Sequence, residues 1–375
     1  MTEATPAGTL LAAGTYDLDA HPRFRVVLEG LRAGGWSVDE VVAPLALSTA
    51  DRVDILRRPS QLPRLAVAIL RAWRRLVPQL VRRRRRPPRP DAVLVGYLGH
   101  FDVPVIRLLT RRRPVVLDYL ISGAGTATDR GAGGGWRHRL LSALDRMALR
   151  CADVVMVDTE EHAEVLPPAV RPRAVVVPVG ADQRWFDAGA ERAPAGSDGA
   201  LSVVFYGLLT PLQGVPVIAE ALRLLDGAVR ATVIGTGQDE AEVDRLLCDV
   251  PGVTRLPWVA ADDLPALVAQ HDVCLGIFGT GDKARRVVPN KAYQGAAAGC
   301  VVVTSDTVPQ RRTFGADAVL VPPGDPQALA DALRSLAADL PRTADLALRS
   351  RATAVRDFSA AGVVRPLASR IRELR

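Results

Sequence analysis

The chain has only two lysines, Lys283 and Lys291, and one asparagine, Asn290. All three fall within nine consecutive residues of a 375-residue sequence. Every other member of its 48 basic residues is arginine. A composition that discards lysine elsewhere and keeps it here marks the stretch. From 275 to 306 the chain reads as a buried strand and then a Gly-rich loop carrying Lys283, Arg285 and Arg286. Pro289 follows at a helix start, where proline is tolerated. The helix runs through Tyr293 to Ala298 and stops at Gly299, and a Val-rich strand begins at once. This order aims several cations and the free N–H groups of a helix N-terminus at one spot, where the macrodipole adds about half a positive charge. Such a spot suits a diphosphate. Each charge-assisted hydrogen bond to phosphate contributes about 1.5–3 kcal/mol, and two or three would stabilise a diphosphate leaving as a dianion.

Those residues need a scaffold. Hydrophobic residues make up 48% and charged residues 24%, the balance of a globular chain. Short β-branched runs alternate with amphipathic stretches, the signature of βα units around parallel sheets. Strands are expected near 9–13, 38–42, 92–96, 114–119, 153–158 and 174–179. A second series is expected near 202–207, 231–235, 253–256, 272–278, 300–304 and 318–321. The fold class is therefore α/β, two Rossmann-like doubly wound domains with a central cleft between the carboxyl ends of their strands. The expected boundaries are 1–186, a linker at 187–200 rich in Ala, Gly and Pro, a second domain at 201–358, and a C-terminal helix at 359–375 that can pack back on the first domain.

Other features narrow the function. The four cysteines are far apart, without metal-binding spacing, and read as core thiols of a reducing, cytoplasmic compartment. No apolar run reaches membrane-spanning length, and the start, Met1-Thr2-Glu3-Ala4-Thr5, lacks a basic leader. The net charge of +7 admits phosphorylated ligands, but aromatic content is 5% with no stacking platform, so nucleic acid is not expected. The basic segment from Arg57 to Arg89 reads as a core-facing helix with a solvated cationic face, or as peripheral contact with anionic membrane. Gly235 and Gly237 follow a strand and open a helix at Glu240. Glu240 stands where the dinucleotide fingerprint needs glycine, which argues against an NAD-dependent dehydrogenase.

The sequence from Pro289 to Gly299, P-N-K-x-Y-Q-x-x-A-x-G before a Val-rich strand, resembles the donor-binding signature of GT-B glycosyltransferases of family 4. The stretch 205–214 looks like that family's opening of the second domain, 233–237 like its next strand and turn, and 325–330 like its late helix start. In the first half His21-Pro22-Arg23, the run 96–102, Thr126 to Arg130 and Asp158-Thr159 look like one subgroup. The resemblance implies a retaining, metal-independent transferase. It would use a nucleoside-diphosphate sugar as substrate, with no cofactor and an acceptor of unidentified class. The second domain would bind the donor and the first would present the acceptor. The leaving diphosphate could itself take the acceptor proton.

Two departures stand out. The family's phosphate-binding Arg and Lys fall on Leu208 and Gln213, and its paired glutamates on Arg286 and Gln294. Lys283 and Arg286 are then expected to take over the diphosphate, helped by Lys291 or by backbone N–H groups near Asn290. Gln294 remains able to bond a ribose hydroxyl. Gly207, Gln213, Gly235 and Gly237 would line the donor, and Trp258 and Val259 stand where the nucleobase would lie; a core aromatic is the alternative for Trp258. On the acceptor side the candidates are Gly14, Tyr16, His100, Asp102, Asp118 and Thr126, with His100 and Asp129 also as catalytic candidates. Helix caps or buried partners are the alternatives for the acids. A sugar-nucleotide epimerase, an enzyme coupling through nitrogen or sulfur, and a non-catalytic binding subunit share the pattern.

Overall fold

The computed structural model describes residues 7–18, 22–45, 62–97, 99–110, 112–120, 135–191 and 199–375. The chain divides into two units: Met1–Pro178 with Val363–Arg375, and Val179–Gly362.

In the first unit six strands form one parallel sheet: β1 (Gly8–Gly14), β2 (Trp36–Val42), β3 (Ala92–Val95), β4 (Val115–Asp118), β5 (Val154–Val157) and β6 (Ala174–Val176). Their order is β2-β1-β3-β4-β5-β6. Between them lie α1 (Pro22–Ala33), α2 (Leu62–Arg85), α3 (Asp102–Leu109), α4 (Gly135–Cys151) and α5 (Glu160–Glu164). Strands β3, β4 and β5 are buried along their whole length. That is why they read as unbroken apolar runs rather than alternating ones: helices cover both faces of a parallel sheet. Leu10 lies opposite Ala92 and Leu11 opposite Val93, so β1 is flanked by β2 and β3, and the strand order reverses between β1 and β3.

The second unit repeats the plan with β7 (Ser202–Tyr206), β8 (Arg230–Ile234), β9 (Val253–Leu256), β10 (Val273–Leu275), β11 (Val301–Ser305) and β12 (Val319–Val321). Their order is β12-β11-β10-β7-β8-β9, again all parallel. The helices are α6 (Gln183–Ala190), α7 (Val215–Leu225), α8 (Glu240–Leu247), α9 (Leu264–Ala269), α10 (Asn290–Ala297), α11 (Val308–Phe314), α12 (Pro326–Ala338) and α13 (Leu340–Thr353). A π-helical turn at Ala354–Phe358, α14 (Ala360–Val363) and α15 (Arg365–Glu373) complete the chain. The order reverses between β7 and β10, and ligands of open α/β sheets sit at such a point, beyond the carboxyl ends of the strands. The loops after β7 and β10 are therefore the place to look.

Three details differ from the sequence-based boundaries. The expected division at 186 runs through α6, whose Trp185 and Phe186 pack in the core of the second unit. Trp185 stacks on Tyr206 at 5.7 Å, and this apolar pair draws the helix into that unit. The chain passes between units at Pro178 instead. The start of the expected linker is helical up to Ala190, and 192–198 lie outside the described residues. At the other end the expected single helix breaks at Val364, between α14 and α15. Residues from Val363 onward belong to the first unit, where Arg375 meets Asp91 and lies 4.8 Å over the Trp36 ring.

Candidate functional site

Lys291 is the centre of the site in the second unit. It stands in the first turn of α10, with its side chain turned inward and 5% exposed. Its Nζ donates a hydrogen bond to Oε1 of Gln213 at 2.6 Å and lies 3.7 Å from the centre of the Phe205 ring. Three elements thus converge: Phe205 from β7, Gln213 from the loop after β7, and Lys291 from the helix after β10. No carboxylate is paired with this amine among the described residues. Burial pushes its pKa from the ordinary 10.5 down to about 7. A buried amine without a counter-charge is costly, and an anion supplied by a ligand relieves that cost.

Glycines bring the surrounding backbone close. Gly207 has φ +140°, and a Cβ there would stand 3.1 Å from Lys291 Nζ. Gly214, at φ +63°, begins α7, and a Cβ on it would meet the Gly279 nitrogen at 2.5 Å. Phe278 N donates to the Gln213 carbonyl at 2.9 Å. The loops after β7 and β10 are therefore laced together directly, with no room for side chains between them. The first turn of α10 has Pro289 at its cap and no side-chain cap; Ala292 N turns back to the Pro289 carbonyl at 3.0 Å, and the N–H groups ahead of it, on Asn290 and Lys291, are the ones a ligand would meet.

The other donor-side candidates are spread around this centre. Lys283 is half-buried and Arg286 exposed on the loop before α10, joined by a turn in which Arg286 N donates to Lys283 O at 3.1 Å. Asn290 is exposed. Gln294 Oε1 accepts the Tyr206 hydroxyl at 2.9 Å, one helical turn beyond Lys291. Gly235 and Gly237 end β8 against the loop after β7, and Leu209 N donates to Thr236 O at 3.0 Å. Trp258 is 75% exposed, so it is not a core aromatic; Val259 beside it packs on the core. The sequence singled out neither Phe205 nor Tyr206 as side chains of the site, because in a buried strand they read as ordinary core.

In the first unit the candidates are tightly held. Asp102 accepts from Thr15 N and Thr15 Oγ1, both at 2.8 Å, and from Trp73 Nε1 at 2.8 Å. It ties the loop after β1 to α2 and α3, beside Gly14, where a Cβ would stand 3.2 Å from its Oδ2. Tyr16 is buried against Phe24 and donates to Glu40 at 3.4 Å, and burial drives its phenol pKa upward. His100 lies 3.4 Å from Asp145 Oδ1 and packs near Tyr119. Asp118, at the end of β4, faces Arg23 Nε at 3.3 Å. Burial raises its pKa to about 6, Arg23 opposing the shift and Asp158 adding to it. Arg23 was legible only as part of a motif. Thr126 and Asp129 lie outside the described residues.

Lys291 has a consequence for stability against pH. Its folded value lies below its unfolded one, so the unfolded chain binds the proton more tightly between about pH 7 and 10.5. Stability therefore rises with pH across that window, and the penalty is fully present below pH 7. Urea unfolding at pH 7 and pH 9 should show the wild type gaining about 1–3 kcal/mol relative to Lys291→Met. A difference independent of pH would show the amine to be ordinary.

With this geometry in hand, comparisons place the chain. Residues 200–339 match the family model described as glycosyl transferases group 1. No curated sequence matches the chain significantly. Among solved structures, sucrose-phosphate synthase from Thermosynechococcus elongatus is similar at a TM-score of 0.69 and 17% identity, over 98% of each chain. The Anabaena protein Alr3699/HepE in complex with UDP is similar at 0.64 and 15%, over 97% of this chain and 99% of that one. An α,α-trehalose-phosphate synthase (UDP-forming) from Burkholderia vietnamiensis is similar at 0.65 and 14%, over 98% and 100%. The chain has the GT-B fold of two Rossmann-like domains, and the stretch that matches the group 1 glycosyl transferases model lies within its second unit.

Proposed function

We propose that the protein transfers a sugar from a nucleoside-diphosphate sugar to an acceptor, with retention and without a metal. The single observation that carries this reading is Lys291, a buried amine set between Gly207, Gln213 and the uncapped start of α10. It stands where the sheet order reverses, the usual place for a nucleotide in such folds. A diphosphate there meets one amine and the N–H groups of one helix. These stabilise charge as it builds on the leaving group, the electrostatic help that metal-independent transfer needs. The second phosphate binder of the family resemblance is Leu208 here, which is 68% exposed, so Lys283 and Arg286 supply the remaining positive charge from the loop. The oxygen of the departing diphosphate accepts the acceptor's proton, which leaves no step that requires a side-chain base.

UDP is the first probe, because it is bound in a similar solved structure. In buffer containing EDTA, UDP at a hundred times its dissociation constant should add about 2.7 kcal/mol of stability. That raises Tm by roughly 5–10 °C for a domain of this size. UMP, which lacks the second phosphate, should shift it less. Incubation of a UDP-sugar with an acceptor panel should then release UDP, and the anomeric configuration of the product reads retention or inversion. No thermal shift with any nucleoside diphosphate overturns the proposal.

A further inference from the structure

One helical layer of the first unit has a surface unlike the rest of the molecule. Helices α2, α3 and α4 cover the same side of the sheet, joined through a shared core that includes Leu76, Leu80, Val103, Ile106, Ala148 and Leu149. Arg84 Nη1 donates to the Leu109 carbonyl at 2.7 Å and ties α2 to the end of α3. Facing outward on α2 are Arg64, Arg71, Arg74, Arg75 and Arg82, all exposed. On α4 the exposed cations are Arg139, Arg146 and Arg150, at helical spacing along one face.

No exposed acid balances them on these helices. Helix α2 contains no Asp or Glu. Asp102 of α3 is 1% exposed and Asp145 of α4 is 6% exposed, and both are turned inward. An arginine-rich composition alone does not produce this. On other helices some exposed arginines stand beside acids three or four positions away, as Arg334 does with Asp331 and Arg349 with Asp345. On α2 that pairing is missing among the described residues.

Apolar side chains are interleaved with the arginines. Val67 is 45% and Leu70 57% exposed on α2, and Leu140 and Met147 are 46% and 40% exposed on α4. Leu108, at the end of α3, is 59% exposed. Guanidinium groups with short apolar side chains between them fit a surface of anionic headgroups over hydrocarbon. They fit nucleic acid poorly. The one aromatic of α2, Trp73, is half-buried with its N–H bonded to Asp102, so α2 offers no ring for stacking. The helix lies on the surface and does not cross it: Ile69 and Ala72 are buried, Leu76 and Leu80 join the core of the sheet, and no described helix is long and apolar enough to span a bilayer.

We propose that this layer docks the protein on an anionic lipid bilayer, with Val67 and Leu70 entering below the headgroups and the arginines of α2 and α4 bonding lipid phosphates. The inference concerns the first unit and stands independently of the donor reading.

The test is sedimentation of the full-length protein with vesicles. Binding is expected to phosphatidylcholine vesicles containing about one-third phosphatidylglycerol, and not to phosphatidylcholine alone. It should weaken as salt rises. Each cation near such a surface multiplies partitioning about fivefold, so Arg71→Glu with Arg75→Glu should cost about a hundredfold or more. Leu70→Ser should reduce binding at low and high salt alike, because it removes the apolar insertion without adding a charge. All these positions are exposed, and far-UV circular dichroism confirms that each variant is folded. Equal binding to both vesicle types, or no binding to either, overturns the proposal. So does retention of vesicle binding by the Arg71→Glu, Arg75→Glu protein. Displacement from vesicles by duplex DNA, combined with indifference to Leu70→Ser, would assign the layer to nucleic acid instead.

Discussion

Lys291→Met should leave the protein folded and remove most of its hold on a nucleoside diphosphate. Methionine has nearly the length and girth of the lysine stem, and its thioether sits well against an aromatic face such as Phe205. The substitution removes an amine that is 5% exposed and lacks a charged partner, so the folded state loses a penalty and not a support. At pH 7 or below, Tm should stay level or rise. Binding should behave in the opposite way. One charge-assisted bond to phosphate is worth about 1.5–3 kcal/mol, which is roughly 10- to 100-fold in dissociation constant. Turnover should fall further, by about 100- to 1,000-fold, because charge on the leaving diphosphate grows toward the transition state. Isothermal titration with UDP and a donor-turnover assay read the two effects separately. UDP affinity equal to wild type in a folded Lys291→Met protein would remove the amine from the site. Wild-type affinity should also decline as pH rises above 7, since the bound diphosphate requires the charged amine.

The largest stability effect is expected from Gly235→Ala. Gly235 follows β8 with φ +130°, a conformation that disfavours any side chain. Its Cβ would lie 1.9 Å from the carbonyl oxygen of Gly207. That oxygen cannot move aside cheaply. Gly207 N donates to Ile234 O at 3.1 Å, and Gly235 N donates to Leu256 O at 2.9 Å, so three adjacent strand ends are fixed together. Backbone strain of about 1–3 kcal/mol and a similar overpacking cost combine to roughly 3–5 kcal/mol. The expected fall in Tm is on the order of 10 °C. Because Gly207 borders Lys291, nucleotide binding should weaken as well. Gly281→Ala is the control: a Cβ there meets nothing within 4 Å. If the two variants melted together, the contact between the strand ends would be looser than described.

How much of this was legible in the sequence depends on the range of the interaction. Strands such as β3 and β5 announce themselves because four consecutive apolar residues are all buried, a local signal. The loop-to-helix run ending at Gly299 was legible for the same reason, since caps and breakers act on their neighbours. The two lysines looked alike, yet Lys283 is half-buried on a loop and Lys291 is enclosed. Half of the eight residues of α10 are Ala or Gly, so no periodicity tells which way position 291 points. Its direction is set by Phe205 and Gln213, more than 70 residues earlier. Asp102 is a similar case. It read as a candidate for an acceptor, and the partners that orient it, Thr15 and Trp73, lie 87 and 29 positions away. Nor could spacing place α6 in the second unit, because that depends on Trp185 meeting Tyr206.

The scarcity of lysine makes the site unusually easy to observe. Protein grown with isotope-labelled lysine carries labelled backbone amides at only two positions in its sequence, one in the loop before α10 and one in its first turn. The side-chain carbon next to the amine of Lys291 lies near the face of Phe205, and the ring current there displaces its resonance from that of the other lysine. A magnetic-resonance titration of that one signal follows nucleotide arrival and proton uptake together, with no engineered reporter.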